Sequence, residues 1–284
     1  MTANINYSTS YGTGIFDYTT SYIAMNYRSL KNRSYSGIMR KMQTGNSSIT
    51  VHYKNMLKFF SAYLSASYSS SQSNVINDIK FNDGGNLSVS ANKNIKTQND
   101  GWIYRIHGDR YIPLLKGKIA FSASYSMSSS KKMQQSVLIP LKNNRLSLTP
   151  ECSFKINGMF EVGYKYIYSG SYQKIETLSP DSKYSSYHVM SHDLSVYYFI
   201  RNKLSANISA EYLRNPLNED TYKKLLFVDI GLKYKPRNTA EFTLSWNNLF
   251  NHKKYVYTSQ YLDTYVYSYD LRPADIMAKI IFNY

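Results

Sequence analysis

Several absences bound what this 284-residue chain can be. It carries one cysteine, Cys152, so an internal disulfide framework is excluded. A lone thiol of this kind reads as a small apolar group packed on a strand face. No apolar run approaches the ~20 residues that a membrane-crossing helix needs. The mean hydropathy of −0.45 therefore argues against a helical membrane protein. It does not argue against a barrel, because half of each barrel strand faces water. Met1 is followed by Thr-Ala-Asn-Ile-Asn-Tyr, with neither the basic region nor the apolar region of a signal peptide. No Gly-rich phosphate loop occurs.

Acidic residues are also scarce: 18 Asp and Glu stand against 34 Lys and Arg, a formal net charge of +16. Such a balance raises nucleic-acid binding as a function. The cations are spread singly or in pairs, as at Lys31, Arg40, Lys131, Lys132, Lys223, Lys224, Lys253 and Lys254. No helix presents a basic face, so no nucleic-acid partner is expected. Several of these residues sit at turns and loop roots, where phosphates of lipopolysaccharide or phospholipid would meet them. A positively charged lumen favouring anionic solutes is a second use of the same charge.

Tyrosine is abundant, 30 residues against 12 Phe and 2 Trp. Tyrosine suits strands and membrane–water interfaces, where ring and hydroxyl want different solvents. The chain alternates accordingly. In Lys118–Ser128, Ile119, Phe121, Ala123, Tyr125 and Met127 take one face and Ser122, Ser124 and Ser126 the other. Phe60–Ser69, Phe160–Tyr168, Leu194–Ile200, Leu204–Tyr212 and Leu226–Tyr234 repeat the pattern. Turns are expected at Asp83-Gly84-Gly85, Asn99-Asp100-Gly101, Pro113–Gly117, Asn157-Gly158, Arg201-Asn202-Lys203 and Lys235-Pro236-Arg237. Longer loops are expected over 170–187, 213–222 and 257–272. Short turns on one side and long loops on the other are the asymmetry of outer-membrane barrels. The fold class expected is all-β, an antiparallel transmembrane β-barrel of about sixteen strands over 1–284. Tyr68, Tyr125, Tyr168, Tyr212 and Tyr234 stand near strand ends, as an aromatic girdle would. A soluble β-sandwich or barrel also alternates, but its enclosed face is apolar; here the second face is Ser, Asn, Thr and Lys.

The stretch from Thr239 to Tyr284 carries the sharpest signal. A strand over Thr239–Asn251 reads TAEFTLSWNNLFN, a Tyr-rich excursion runs from Tyr255 to Tyr269, and a final strand over Arg272–Tyr284 reads RPADIMAKIIFNY. The ordered set Trp246, Asn248, Leu249, Phe250 and Asn251, then Arg272 and Pro273, then a strand ending on the aromatic Tyr284, resembles the C-terminal end of TonB-dependent outer-membrane receptors of the Bacteroides-like type. That resemblance implies a place in a 22-strand barrel of the cell outer membrane, with barrel closure and recognition by the barrel-assembly machinery through the C-terminal strand. It further implies energy-coupled uptake of a nutrient such as a siderophore, glycan or peptide. An inner-membrane energy-coupling protein would act only through a plug. Neither plug nor signal peptide is recognisable, so the chain is expected to be the C-terminal part of the barrel. A stand-alone outer-membrane porin or structural barrel is the alternative.

Candidate sites are few. Tyr255, Tyr257, Tyr261, Tyr265, Tyr267 and Tyr269 are a candidate stacking surface for ligand, or else loop aromatics that pack on their neighbours. His188 and His192, four apart on a strand, share a face and are weighed as one metal site, but without a third ligand no metal or cofactor is expected. His188, Ser191 and Asp193 do not share a face, so no catalytic triad and no enzyme activity are expected.

Overall fold

The computed structural model describes residues 1–13, 23–26, 29–32, 40–81, 88–175, 185–200, 203–217, 221–237, 240–260 and 264–282. Strands dominate. In chain order they are β1 (Thr2–Thr13), β2 (Ile23–Asn26), β3 (Ser29–Asn32), β4 (Lys41–Asn55), β5 (Phe60–Ser73), β6 (Ile76–Phe81), β7 (Ser88–Lys93), β8 (Thr97–Ile112) and β9 (Gly117–Gln134). There follow β10 (Val137–Ile156), β11 (Phe160–Ile175), β12 (Ser185–Ile200), β13 (Leu204–Pro216), β14 (Tyr222–Arg237), β15 (Ala240–Asn247), β16 (Lys254–Gln260), β17 (Thr264–Asp270) and β18 (Asp275–Phe282).

Twelve of these strands form one antiparallel path, β1-β4-β5-β8-β9-β10-β11-β12-β13-β14-β15-β18. The other six make three hairpins, β2–β3, β6–β7 and β16–β17, all inserted at the end of the sheet opposite its short turns. The turns at 56–59, 113–116 and 157–159 lie at one end, and the two-residue turn at Gln135-Ser136 lies at the other. Asn157 and Gly158 both take positive φ, 49° and 69°, within the three-residue turn that the Ile156–Phe160 pair closes. The β6–β7 hairpin is latched down by Asp78, which is wholly buried and accepts from the Ser136 backbone N–H and hydroxyl at 3.0 Å each.

The expected barrel is not closed among the described residues. β1 and β18 end the path and do not pair with each other. The strand count also differs from the sequence expectation. Alternation cannot tell a wall strand from a strand in a loop hairpin, since both bury one face. Asn99-Asp100-Gly101 is no turn but lies inside β8, because its residues pair with Ser71, Ser70 and Ser69. Lys235-Pro236-Arg237 is the end of β14, marked by a register shift between Tyr234 and Arg237. Residues 129–144, beyond the alternation over Lys118–Ser128, continue β9 and β10 to a turn at Gln135-Ser136. The final strand is shorter than Arg272–Tyr284, and Tyr284 lies outside the described residues, as do Asp83-Gly84-Gly85.

The register explains how the sheet lies. Leu64, Ala123, Tyr168 and Arg214 stand on one line across the strands, through Ile106, Leu148 and Met190. Counted from the residues that close the hairpins below (Phe60, Gly117, Phe160 and Leu204), that line climbs from four residues to six, eight and ten. The stagger is one residue per strand. At ~3.3 Å per residue and ~4.8 Å between strands it corresponds to a tilt of about 35°, the range of closed barrels.

Side-chain parity holds across the whole path, because cross-strand partners share a face. One face carries Ile5, Ile49, Leu64, Ile106, Phe121, Ile208, Ile230, Leu244 and Ile280. Among the described residues no second layer covers it: Leu64 is 57% exposed, Ile208 49% and Ile280 55%. Buried apolar side chains among the described residues reduce to Ile76, Ala120, Met133, Leu141, Leu213, Pro216 and Leu225. An apolar surface of this extent, left open, is what marks contact with lipid or protein.

Candidate functional site

The two faces and the long-loop end hold all the chemistry. On the apolar face, aromatics fall in two rows. Tyr68, Tyr125, Tyr168 and Tyr212 each stand eight residues beyond Phe60, Gly117, Phe160 and Leu204. Tyr104 joins this row on β8, directly opposite Tyr125. Trp102 lies beside it, 4.9 Å from Tyr68 and 6.0 Å from Tyr104 between ring centres. The second row borders the short turns. Tyr53 meets Phe60 at 6.0 Å, Phe160 stacks on Tyr198 at 4.4 Å, and Tyr234 lies 6.4 Å from Phe242. Tyr234, grouped by sequence with the others, thus belongs to the opposite row. Eight residues along a strand tilted about 35° span a height of about 22 Å.

The opposite face is polar and ion-paired. His107 reaches Ser122 at 2.8 Å and Asp109 at 3.4 Å, while the Ser61 hydroxyl donates to Asp109 and Lys118 lies 3.9 Å from it. Lys233 pairs with Glu241 at 2.8 Å. Glu151, Lys165, Asp193 and Glu211 stand opposite one another in register on β10 to β13. They line a recess of about 610 Å³ with Lys118, Tyr164 and Asp229. Ser191 donates to Asp193 at 2.8 Å within this face.

His188 and His192 do share a face, as parity requires, but it is the apolar one. Each ring is engaged by a phenol, His188 with Tyr168 and His192 with Tyr164, both at 2.8 Å. Four residues along a strand are about 13 Å, too far for one ion, which corrects the reading that the two rings could reach one metal. No group of three metal-ligating side chains occurs among the described residues.

The C-terminal motif folds into a knot. Asn248 and Asn251 take positive φ, 53° and 52°, a conformation asparagine tolerates better than most residues. The Asn248 backbone N–H donates to Asp229 at 2.7 Å. Its side-chain amide donates to the carbonyls of His252, at 2.9 Å, and Arg272, at 3.0 Å, and accepts from the His252 N–H at 2.9 Å. Leu249 N–H donates to the Val228 carbonyl at 2.9 Å. Asn251 accepts from the Ala274 N–H at 3.1 Å, and Arg272 pairs with Asp275 at 2.6 Å. Trp246 and Phe250 stay on the surface, 43% and 54% exposed, and Pro273 is exposed. Asn248, Leu249, Asn251 and Arg272 therefore tie β14, β15 and β18 together where β16 departs.

That departure aims the Tyr hairpin. Tyr255 pairs with Tyr269 and Tyr257 with Tyr267, so the four share one face of β16–β17. Tyr257 stacks on Tyr267 at 5.1 Å and on Tyr269 at 5.7 Å, and its hydroxyl meets that of Tyr269 at 3.3 Å. The Tyr269 hydroxyl beside it pushes the Tyr257 phenol up to about 12. The hairpin is anchored by Asn215, which donates to the Val256 carbonyl at 3.1 Å, and by Thr258, which donates to the Pro216 carbonyl at 2.6 Å. The Tyr187 hydroxyl also donates to the Thr258 carbonyl. Nothing local in the sequence marks Asn215, Thr258 and Tyr187, because these partners are 41 or more positions away. Tyr261 and the side chain of Tyr265 lie outside the described residues. No protein-family model matches the chain, and no curated protein matches it.

Proposed function

We propose that this chain is a stretch of outer-membrane β-barrel wall belonging to a receptor for energy-coupled nutrient uptake. The observation that carries it is the exposed apolar band, about 22 Å tall between two aromatic rows, on strands staggered as in a tilted barrel. A band of about 25 Å flanked by aromatic girdles is what such a barrel offers to lipid. The polar, ion-paired face then looks into a hydrated lumen. Barrels leave no edge in lipid, because an unpaired N–H or C=O there costs several kcal/mol. The free edges of β1 and β18 therefore call for partner strands, which the 22-strand wall of a receptor would supply.

The long-loop end faces outward in this orientation and presents the Tyr257, Tyr267 and Tyr269 rings, a surface suited to stacking on a sugar or another flat ligand. The knotted Asn248–Asn251 segment holds that hairpin to the rim. The polar recess of Lys118, Glu151, Lys165, Asp193 and Glu211 lies on the path a solute would take.

The test is electrophoretic mobility of the refolded chain with and without boiling, beside its conductance in planar bilayers. A wall segment gives a β-rich circular dichroism spectrum, no mobility shift and no steady conductance by itself. A heat-dependent shift with steady conductance would mean that these strands close alone, and would replace the receptor by a stand-alone pore.

A further inference from the structure

The apolar face changes character just above the row of Tyr68, Tyr125, Tyr168 and Tyr212. On β13 the next residue of that face after Tyr212 is Arg214; on β14 the next after Leu226 is Lys224. The register sets Arg214 directly opposite Lys224. Like charges directly opposite on a sheet repel. Among the described residues neither forms an ion pair. The Arg214 guanidinium lies 3.8 Å over the Tyr222 ring, which orients it, and its Nε is buried without a hydrogen-bond partner.

Below this pair is a cleft of about 310 Å³ lined by Tyr212, Lys224, Leu226, Phe250 and His252. Its walls are apolar except for Lys224 and the His252 ring, whose Nε2 is 2.9 Å from the Leu226 carbonyl oxygen. Phe250 comes from the knotted C-terminal motif, so that motif builds one wall. An apolar cleft with Lys224 in its lining and Arg214 directly opposite that lysine has the polarity of a lipid, chain below and phosphate above.

We propose that Arg214 and Lys224 seat the phosphate of an anionic lipid of the surrounding leaflet, with the start of an acyl chain against Leu226 and Phe250. The phosphate relieves the repulsion between the two cations and gives the Arg214 Nε–H an acceptor. Because the site rests on the barrel-wall reading, the experiment separates the two. The full chain is incorporated into phosphatidylcholine vesicles, with and without phosphatidylglycerol, and flotation is measured. Lipid retained by the protein after detergent extraction is then read by native mass spectrometry. The variants are Arg214→Gln/Lys224→Gln, the charge-keeping Arg214→Lys/Lys224→Arg, and Lys223→Gln/Lys155→Gln on the polar face.

A basic side chain at an anionic surface is worth about a factor of five. Arg214→Gln/Lys224→Gln is therefore expected to lower phosphatidylglycerol retention by roughly 25-fold. The charge-keeping pair and the polar-face pair retain it. Flotation in pure phosphatidylcholine is unchanged in all of them. Equal retention by the Arg214/Lys224 and Lys223/Lys155 glutamine variants overturns the site while leaving the barrel wall standing. Displacement of the lipid by millimolar inorganic phosphate would make this a free-anion site and overturns the lipid assignment. Failure of the unsubstituted chain to float with either vesicle overturns the barrel wall and the site together.

Discussion

Gly117 opens β9 where the sheet leaves one of its short turns. A Cβ built there would stand 2.5 Å from the Ser153 carbonyl oxygen and 2.4 Å from the Phe154 ring. The ring can shift, but the carbonyl belongs to a paired strand and cannot. Gly117→Ala should cost about 1–3 kcal/mol, seen as a lower urea midpoint, whereas Gly45→Ala, with nothing within 4 Å, should leave it nearly unchanged. Asp100 poses a pH question at the same scale. It lies on β8 beyond Tyr104, outside the apolar band. The Ser70 hydroxyl, then the Gln98 amide, hold its carboxyl below the usual range, against the effect of burial. A depressed folded pKa gives stability that is complete above the unfolded value of about 3.9 and is lost as pH falls through the folded one. Urea midpoints measured downward from about pH 6 should therefore fall less steeply for Asp100→Asn than for the unsubstituted chain.

Alternation along single strands made the elements legible, since a two-residue period needs no partner to be seen. Lys118–Ser128 and Leu204–Tyr212 lie within β9 and β13 with the predicted faces. What single strands could not reveal was where they stop. Asn99-Asp100-Gly101 has turn chemistry, yet cross-strand pairing with Ser69–Ser71 overrides it. β16 and β17 hid inside an expected loop because their pairing is local to a hairpin off the main path. Of the candidate site, the Tyr face and the Asn248–Asn251 turn were legible as residues. Their anchors at Asn215, Pro216 and Asp229 were not, being contacts between distant elements. Parity itself makes a prediction. Ile208 and Ser209 are neighbours on β13 with opposite faces. A lysine on the lipid face of a barrel at mid-height costs about 2–4 kcal/mol, and far less in the lumen. Ile208→Lys should abolish refolding into vesicles, followed by protease protection, while Ser209→Lys, close to Glu211 and Asp229, should refold as the parent does.

At the scale of the whole molecule, twelve strands form one layer, with both edges open among the described residues and one face carrying an apolar band. A soluble protein would cover that face with a second layer and would bury more than a handful of apolar side chains. The sequence pattern could show that such a face exists but not whether the sheet closes, because closure depends on which strands meet at the edges. In a barrel wall the apolar face meets lipid. The chain has 2 tryptophans, Trp102 and Trp246, and both lie on that face, each 43% exposed. Their fluorescence therefore reports on the face without any substitution. The most direct measurement is quenching of the refolded chain in vesicles, by bromine atoms on the lipid chains and by acrylamide in the water. Strong quenching by brominated lipid with protection from acrylamide is the result expected of a barrel wall. Strong quenching by acrylamide with none by brominated lipid would place the face in water or against protein, and would contradict it.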